Sequence, residues 1–232
     1  MNNKLEGNLM HQLDYVQFIH LYRVVRLKKG DEIILFNNCD GEWLSVIEQI
    51  NKKTIIVRCA QIISKPKTIP FIDLIFSPIK YQNSETIIRQ GTEIGVRKFY
   101  PTVFNRTVVS KINMNKFNTY ALGAAQQSGR THIPEIESLK KLNLQKNLLK
   151  NKIILMFDEN LEGQNIQEIN VKNNSQISVI IGPEGGFSDK ERTIISSFSN
   201  NFYNLKIGQR ILKADTAVIC ALSLVFHYFD RD

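Results

Sequence analysis

Apolar and polar residues alternate in short runs over the first quarter of the chain. Residues 32–36, 43–50 and 54–63 are rich in Ile, Val, Phe and Trp, and polar breaks at 29–31, 37–41 and 51–53 bound them. Strands of this length and spacing predict a small barrel or sandwich over residues 1–66. Ahead of them, Val16, Ile19, Val24 and Leu27 follow a partly helical period. Ser64-Lys65-Pro66-Lys67 reads as a linker, and the rhythm then changes. Strand-like runs at 71–77, 99–103, 152–157, 176–181 and 202–207 alternate with helix-like segments over residues 70–232. The helical segments cover 85–94, with Gly95 suited to the C′ position, and 117–128, with Phe117, Ala121, Leu122 and Ala125 at helical spacing. This alternation predicts an α/β domain with a mainly parallel sheet and helices on both faces. Residues 143–151 and 160–175 are rich in Asn and Gln, and read as surface connections with room for a short helix.

Composition adds class limits. The chain has 232 residues, 43% hydrophobic and 22% charged, which suits a globular protein with its own core. Cys39, Cys59 and Cys220 fit neither a disulfide framework nor a metal site, so reduced core thiols and no metal are expected. The first ten residues lack an apolar signal core, and the run 217–226 is too short to span a bilayer. A cytoplasmic protein without a membrane partner is the expectation. The net charge of +8 is uneven. Between Ile79 and Arg130 stand eight cations (Lys80, Arg89, Arg97, Lys98, Arg106, Lys111, Lys116, Arg130) against Glu85 and Glu93. Such a stretch draws polyanions such as nucleic acid, or is simply a solvated surface.

Two glycine turns carry the candidate chemistry. The strand at 176–181 runs into Gly182-Pro183-Glu184-Gly185-Gly186-Phe187, followed by Ser188-Asp189-Lys190-Glu191. Ser188 and Glu191 make a capping box, so a helix starts at Asp189. The turn thus lies at the C-terminal end of a strand and before a helix, where open α/β sheets bind ligands. Its glycine spacing matches neither a phosphate loop nor a dinucleotide fingerprint. A tight turn without a ligand is the plainer alternative. The strand at 202–207 likewise ends at Gly208, and Gln209-Arg210-Ile211-Leu212-Lys213-Ala214 leads into an apolar helix reaching about Phe229, with Asp215 as expected N-cap. Side by side, the two turns would form one cleft, faced by Arg210 and Lys213. The plainer role for Arg210 is a salt bridge or a carbonyl contact.

These turns resemble the paired C-terminal motifs of bacterial 16S ribosomal RNA uridine-N3 methyltransferases, of the SPOUT (trefoil-knot) class. Three other stretches agree: Gly91-Thr92-Glu93-Ile94-Gly95-Val96, Asn105-Arg106-Thr107-Val108-Val109, and Gln127-Ser128-Gly129-Arg130 with Ile133-Pro134-Glu135-Ile136. Arg23-Val24-Val25-Arg26-Leu27 with Gly30-Asp31 is similar to the family's RNA-binding barrel. The resemblance spans nearly the whole chain. It implies a small N-terminal PUA-like β-barrel, and a SPOUT domain whose deep trefoil knot shapes a pocket for S-adenosylmethionine. It also implies a homodimer, and a target uridine in the decoding region of small-subunit ribosomal RNA. This chain departs from the family at Lys213-Ala214-Asp215, where Arg-Thr-Glu is usual, and at Gln90, where Lys is common. It also lacks the usual Arg-Phe start. Lysine does not reproduce a bidentate arginine contact.

On that resemblance, Ile181, Gly182, Gly185, Gly186, Ile207, Gly208, Ile211, Leu212 and Thr216 would bind the cofactor. Arg106, Arg130, Arg210 and Glu184 would carry catalysis. Arg23, Arg26, Lys80, Arg106, Arg130 and Lys213 would bind RNA. Glu184 or Asp215 would accept the uracil N3 proton, unless both are structural. A knotted methyltransferase acting on transfer RNA and a non-catalytic RNA-binding protein are the rival readings.

Overall fold

The computed structural model describes residues 3–65, 72–158, 163–169 and 176–229. It divides into two compact units, Met1–Thr68 and Ile69–Asp232. The expected linker at 64–67 and connection at 160–175 lie partly outside the described residues.

In the first unit, β1 (Met10–Gln12), β2 (Glu32–Asn37), β3 (Gly41–Ile50) and β4 (Ile55–Ser64) form an antiparallel sheet in the order β1-β4-β3-β2. The three longer strands match the sequence pattern. β1 has only three residues, too few to show a period, and pairs with β4 through Met10, His11 and Gln12. Leu13, Phe18, Leu35, Ile47, Ile55 and Val57 fill the core beneath. Asp14 caps α1 (Tyr15–Phe18) through a capping box, and the helix widens into a π-helical turn at Ile19–Val24. Arg26 follows in the left-handed region, at φ 66°. Cys39 is exposed. That corrects the reading of all three cysteines as core thiols: Cys39 sits in the turn before β3, where Asn37 accepts its N–H.

The second unit runs β5 (Ile72–Phe76), α2 (Tyr81–Ile94), β6 (Lys98–Val103), α3 (Met114–Gln127), β7 (Glu135–Ile136), β8 (Lys140–Lys141), α4 (Lys146–Leu149), β9 (Ile153–Phe157), β10 (Ile177–Ile181), α5 (Asp189–Ser196), β11 (Phe202–Leu205) and α6 (Ala214–Phe229). The sheet is parallel, in the order β11-β9-β10-β5-β6-β7, with β8 also on β6. Every residue of β5, β9 and β10 is buried, as expected when helices cover both faces of a parallel sheet. Ile72, Leu74 and Phe76 pack on one face with Ile88, Phe117, Val218 and Leu222. Ile75, Ile154 and Met156 pack on the other with Phe187, Ile195 and Phe198.

Element ends depart from expectation for local reasons. α2 starts at Tyr81 rather than at 85, because the Ser84 hydroxyl bonds both N–H and carbonyl of Ile79 and closes the first turn. α3 starts at Met114, where Asn113 accepts the Lys116 N–H. β11 ends at Leu205, since Lys206 turns its N–H to the Gln164 carbonyl. α6 begins at Ala214, so Asp215 lies inside its first turn and is not the N-cap. Residues 143–151 are more than a surface connection: Gln145 and Leu149 are buried, and Leu149 joins Leu142 in the second core cluster.

At the N-terminal ends of the strands, the fully buried Asp73 carboxylate is held on three sides. Arg97 grips it with Nε at 2.8 Å and Nη2 at 2.6 Å, and Lys152 Nζ reaches it at 2.6 Å. This network fixes that edge of the sheet and leaves the opposite edge to the candidate site.

Candidate functional site

The C-terminal ends of β9 and β10 and the segment after β11 converge on one cleft of about 570 Å³, its open mouth included. Ile181, Gly182, Pro183, Glu184, Gly186 and Phe187 form one side. Ile207, Arg210, Ile211, Leu212, Ala214 and Ala217 form the other, and Phe157 and Asp158 close the floor. The two glycine turns therefore share one cavity at the end of the sheet where α/β folds bind ligands.

The first turn is built for close approach. Gly186 adopts φ 70° and closes the turn with its N–H on the Pro183 carbonyl at 2.8 Å. Ser188 caps α5 as the sequence predicts, accepting the Glu191 N–H at 3.4 Å while Glu191 accepts the Ser188 N–H at 2.9 Å. Arg106 lies on Gly185: its Cδ is 3.2 Å from where a Cβ would sit, and Nη1 donates to the Gly185 carbonyl. The rest of the guanidinium fork carries no other hydrogen bond among the described residues, and faces solvent beside the turn.

The second turn has the opposite character. From Gly208 to Leu212 no main-chain group makes a main-chain hydrogen bond among the described residues. Ile211 is 74% exposed although apolar. Such a segment offers unpaired N–H and C=O groups and aliphatic surface to whatever fills the cleft. Arg210 also lines it, with neither the salt bridge nor the carbonyl contact of the plainer reading among the described residues.

Other expected site residues fall outside this cleft. Gly208 opens on a neighbouring hollow with Asn165, Lys206 and Gln209. Thr216 is exposed on α6, its N–H taken by the Asp215 carboxylate at 3.0 Å. Lys213 is exposed just before α6, and Lys80 is the exposed residue preceding α2. Arg23 and Arg26 are exposed on the first unit, in and after the π-helical turn.

Arg130 is corrected most by the structure. Its guanidinium is turned inward to the last turn of α2, donating to the Thr92 carbonyl and to the Val96 carbonyl at 3.2 Å. Burial lowers its pKa to about 10. It ties the end of α2 to the segment after α3 rather than presenting a free cation.

Sequence reasoning missed the floor. Asp158 follows β9 and receives Arg192 of α5 in a bidentate pair, Nε at 2.5 Å and Nη2 at 3.2 Å. That pairing holds the Arg192 guanidinium above its ordinary range. The only available signal was that Asp158 ends an apolar strand in a domain whose other strand ends carry the motifs.

The cleft thus offers an apolar slot, free main-chain hydrogen-bonding groups and a carboxylate, Glu184, at its rim. These suit a flat heterocycle attached to a polar, positively charged group.

Comparison with known proteins agrees with this chemistry. Residues 65–226 match the family described as RNA methyltransferase domain, and residues 17–58 match the RNA methyltransferase PUA domain. A Rickettsia conorii protein named ribosomal RNA small subunit methyltransferase E is 31% identical over 97% of this chain and 90% of its own. The protein of that name from Bacillus subtilis is 25% identical over 89% of this chain and 85% of its own. Among solved structures, a methyltransferase from Legionella pneumophila in complex with S-adenosylmethionine is 27% identical, covers 98% of this chain and 95% of its own, and superposes with a TM-score of 0.86. A Neisseria gonorrhoeae protein, 19% identical over 99% of this chain and 96% of its own, shares the fold with a TM-score of 0.87. With this match over most of its length, and both motif turns set around one cleft, the chain belongs to the RNA methyltransferase family that contains the ribosomal RNA small subunit methyltransferases E.

Proposed function

We propose that the protein transfers a methyl group from S-adenosylmethionine to N3 of a uridine in 16S ribosomal RNA. The observation that carries this reading is the joint lining of one cleft by Gly182, Pro183, Glu184, Gly186 and Phe187 of the first turn and by Ile207, Arg210, Ile211 and Leu212 of the second. The slot between Ile181, Ile207, Leu212, Ala214 and Ala217 suits an adenine ring, and unpaired main-chain groups after Gly208 suit its nitrogens. When bound, the cofactor supplies an electrophilic methyl on a sulfonium.

The protein's own residues must do the rest. Neutral uracil carries a proton on N3, so the base must be deprotonated and the charge spread onto O2 and O4 stabilised. Arg106 is placed for that: one N–H is anchored on Gly185, and the others remain for a uracil oxygen or a phosphate. Glu184 lines the cleft and is the carboxylate best placed to take the proton; Asp215, inside α6, is the second candidate. Arg210 and Lys213 steer the RNA to the mouth. The target base leaves its stack to reach the cleft, at a cost of a few kcal/mol. Exposed Arg23 and Arg26 give the first unit a phosphate-binding edge, and we take its antiparallel sheet as part of a closed PUA-like barrel.

The second unit is read as knotted, with the chain around 207–213 threaded to form the cleft wall. Two copies are expected to pair, since Ile211 at the cleft and Val108, two residues after Arg106, stand 74% and 81% exposed and gain by being covered.

Calorimetry of the purified protein with S-adenosylmethionine should show saturable binding. Mass spectrometry of ribosomal RNA from cells lacking the protein should show one missing N3-methyluridine, restored by adding protein and cofactor. No binding, or an unchanged ribosomal RNA with a methyl lost from transfer RNA, overturns the assignment.

A further inference from the structure

The capping carboxylate Glu191 has a second bond that its place in α5 does not require. It is only 7% exposed, and its two oxygens are divided between two loops. Oε2 accepts the Ser188 N–H at 2.9 Å and the Ser188 hydroxyl at 2.8 Å, completing the cap after the glycine turn. Oε1 accepts the main-chain N–H of Asn105 at 2.6 Å, from 86 residues earlier in the chain. A helix cap needs the first arm only.

The segment that Glu191 reaches is the one that carries Arg106. It is pinned by other contacts. The Phe104 N–H goes to Thr107 Oγ1 at 2.8 Å, and Thr107 Oγ1 meets Ser77 Oγ at 2.9 Å. Phe104 meets Phe187 edge to face, with ring centroids 5.4 Å apart. Among the described residues, only the Asn105–Glu191 bond brings a charged group to bear on the backbone next to Arg106. A buried carboxylate accepting a main-chain N–H at this distance is a strong, directional contact.

We propose that Glu191 is a positioning residue for the methyl transfer: it locks the Asn105-Arg106 backbone to the donor-binding turn. The Arg106 guanidinium then stands at one fixed height over Gly185 while the donor is held. This rests on the reading of Arg106 and the cleft given above. Glu191 need touch neither donor nor RNA. Its effect passes through the orientation of Arg106, where a displacement of an ångström is enough to lose most of a transition-state contact.

The test is a double-mutant cycle on the full chain, with Glu191→Gln, Arg106→Ala and the double variant. Glutamine keeps the size but offers one acceptor oxygen where the carboxylate offers two. Donor affinity, by calorimetry, should stay within about threefold of the parent, while the single-turnover methylation rate falls by about tenfold or more. Arg106→Ala should then cost far less in the Glu191→Gln background than alone. Ser188→Ala removes the hydroxyl half of the cap but leaves the Ser188 N–H on Oε2 and the Asn105 arm on Oε1, and should lower Tm without changing the rate. Equal fold losses from Arg106→Ala in both backgrounds, or a rate loss reproduced by Ser188→Ala, overturns the proposal. If Glu191→Gln fails to fold, hydrogen exchange in the parent protein decides: the Asn105 amide should be strongly protected, and slower still with saturating S-adenosylmethionine. Fast exchange overturns it. Absence of donor binding by the parent protein would instead sink the functional assignment.

Discussion

The Phe187 ring lies over Gly182, 3.0 Å from the point where a Cβ at residue 182 would stand. Phe187 is 1% exposed and its edge contact with Phe104 leaves it little room to retreat. Gly182→Ala should therefore overpack the turn and cost about 1–3 kcal/mol of stability. It should also distort the cleft wall. Thermal unfolding and calorimetry with S-adenosylmethionine should show a lower Tm and weaker donor binding together.

Arg106→Ala should separate chemistry from binding. Losing one preorganised donor to a developing oxyanion costs on the order of 100- to 1,000-fold in rate. The fold and the affinity for S-adenosylmethionine should be nearly unchanged, because Arg106 stands outside the cleft lining and meets the turn at Gly185, through its stem and one N–H. Parent-like methylation in the variant would remove Arg106 from the site.

Arg130→Met should behave in the reverse way. It leaves the Thr92 and Val96 carbonyls without their charged donor, a loss of about 1.5–3 kcal/mol for a hydrogen bond to a charged group. Tm should fall, while donor affinity at a temperature well below Tm stays at the parent value.

Asp73→Asn tests the opposite edge of the sheet. Removing a buried partner leaves Arg97 and Lys152 facing a neutral amide, at a cost of roughly 3–5 kcal/mol. Donor binding should again persist where the variant is folded, since the cleft opens at the other ends of the strands.

Acid should act partly through Glu137. Lys98 at 2.8 Å and Lys140 at 2.9 Å both bond it and hold its carboxyl below the ordinary glutamate range. With the folded pKa below the unfolded one, the unfolded chain binds more protons in that window. The contribution is thus present above about pH 4.3, and is lost as pH falls through the lowered value. Glu137→Gln should flatten the acid limb of Tm against pH, and leave the neutral plateau little changed.

The two motif turns were legible because glycines, a proline and a capping box interrupt strongly apolar strands, and each signal is local. The five longer strands of the sheet were legible for the same reason, whereas β7 and β8, of two residues each, are too short to show a period. What the sequence hid is set by distance. Arg130 looked like a free cation until its carbonyl partners, 38 and 34 residues away, came into view. Asp158 carries no motif and becomes part of the cleft only because β9 lies beside β10. The second arm of Glu191 links residues whose own neighbourhoods say nothing of each other. Thr216 and Gly208 were placed by analogy of motif, and the geometry of α6 and its entry sets them beside the cleft.

The position of β10 between β9 and β5 bears on how the chain is made. β5 and β9 are both translated before β10, yet neither pairs with the other. Until residues 177–181 leave the ribosome, the second unit consists of one incomplete sheet, β5 with β6 and β7, and the lone apolar strand β9, whose other neighbour β11 is made later still. Closure must wait for a late strand and for contacts far apart along the chain, which makes for slow folding and a long interval of exposure to aggregation.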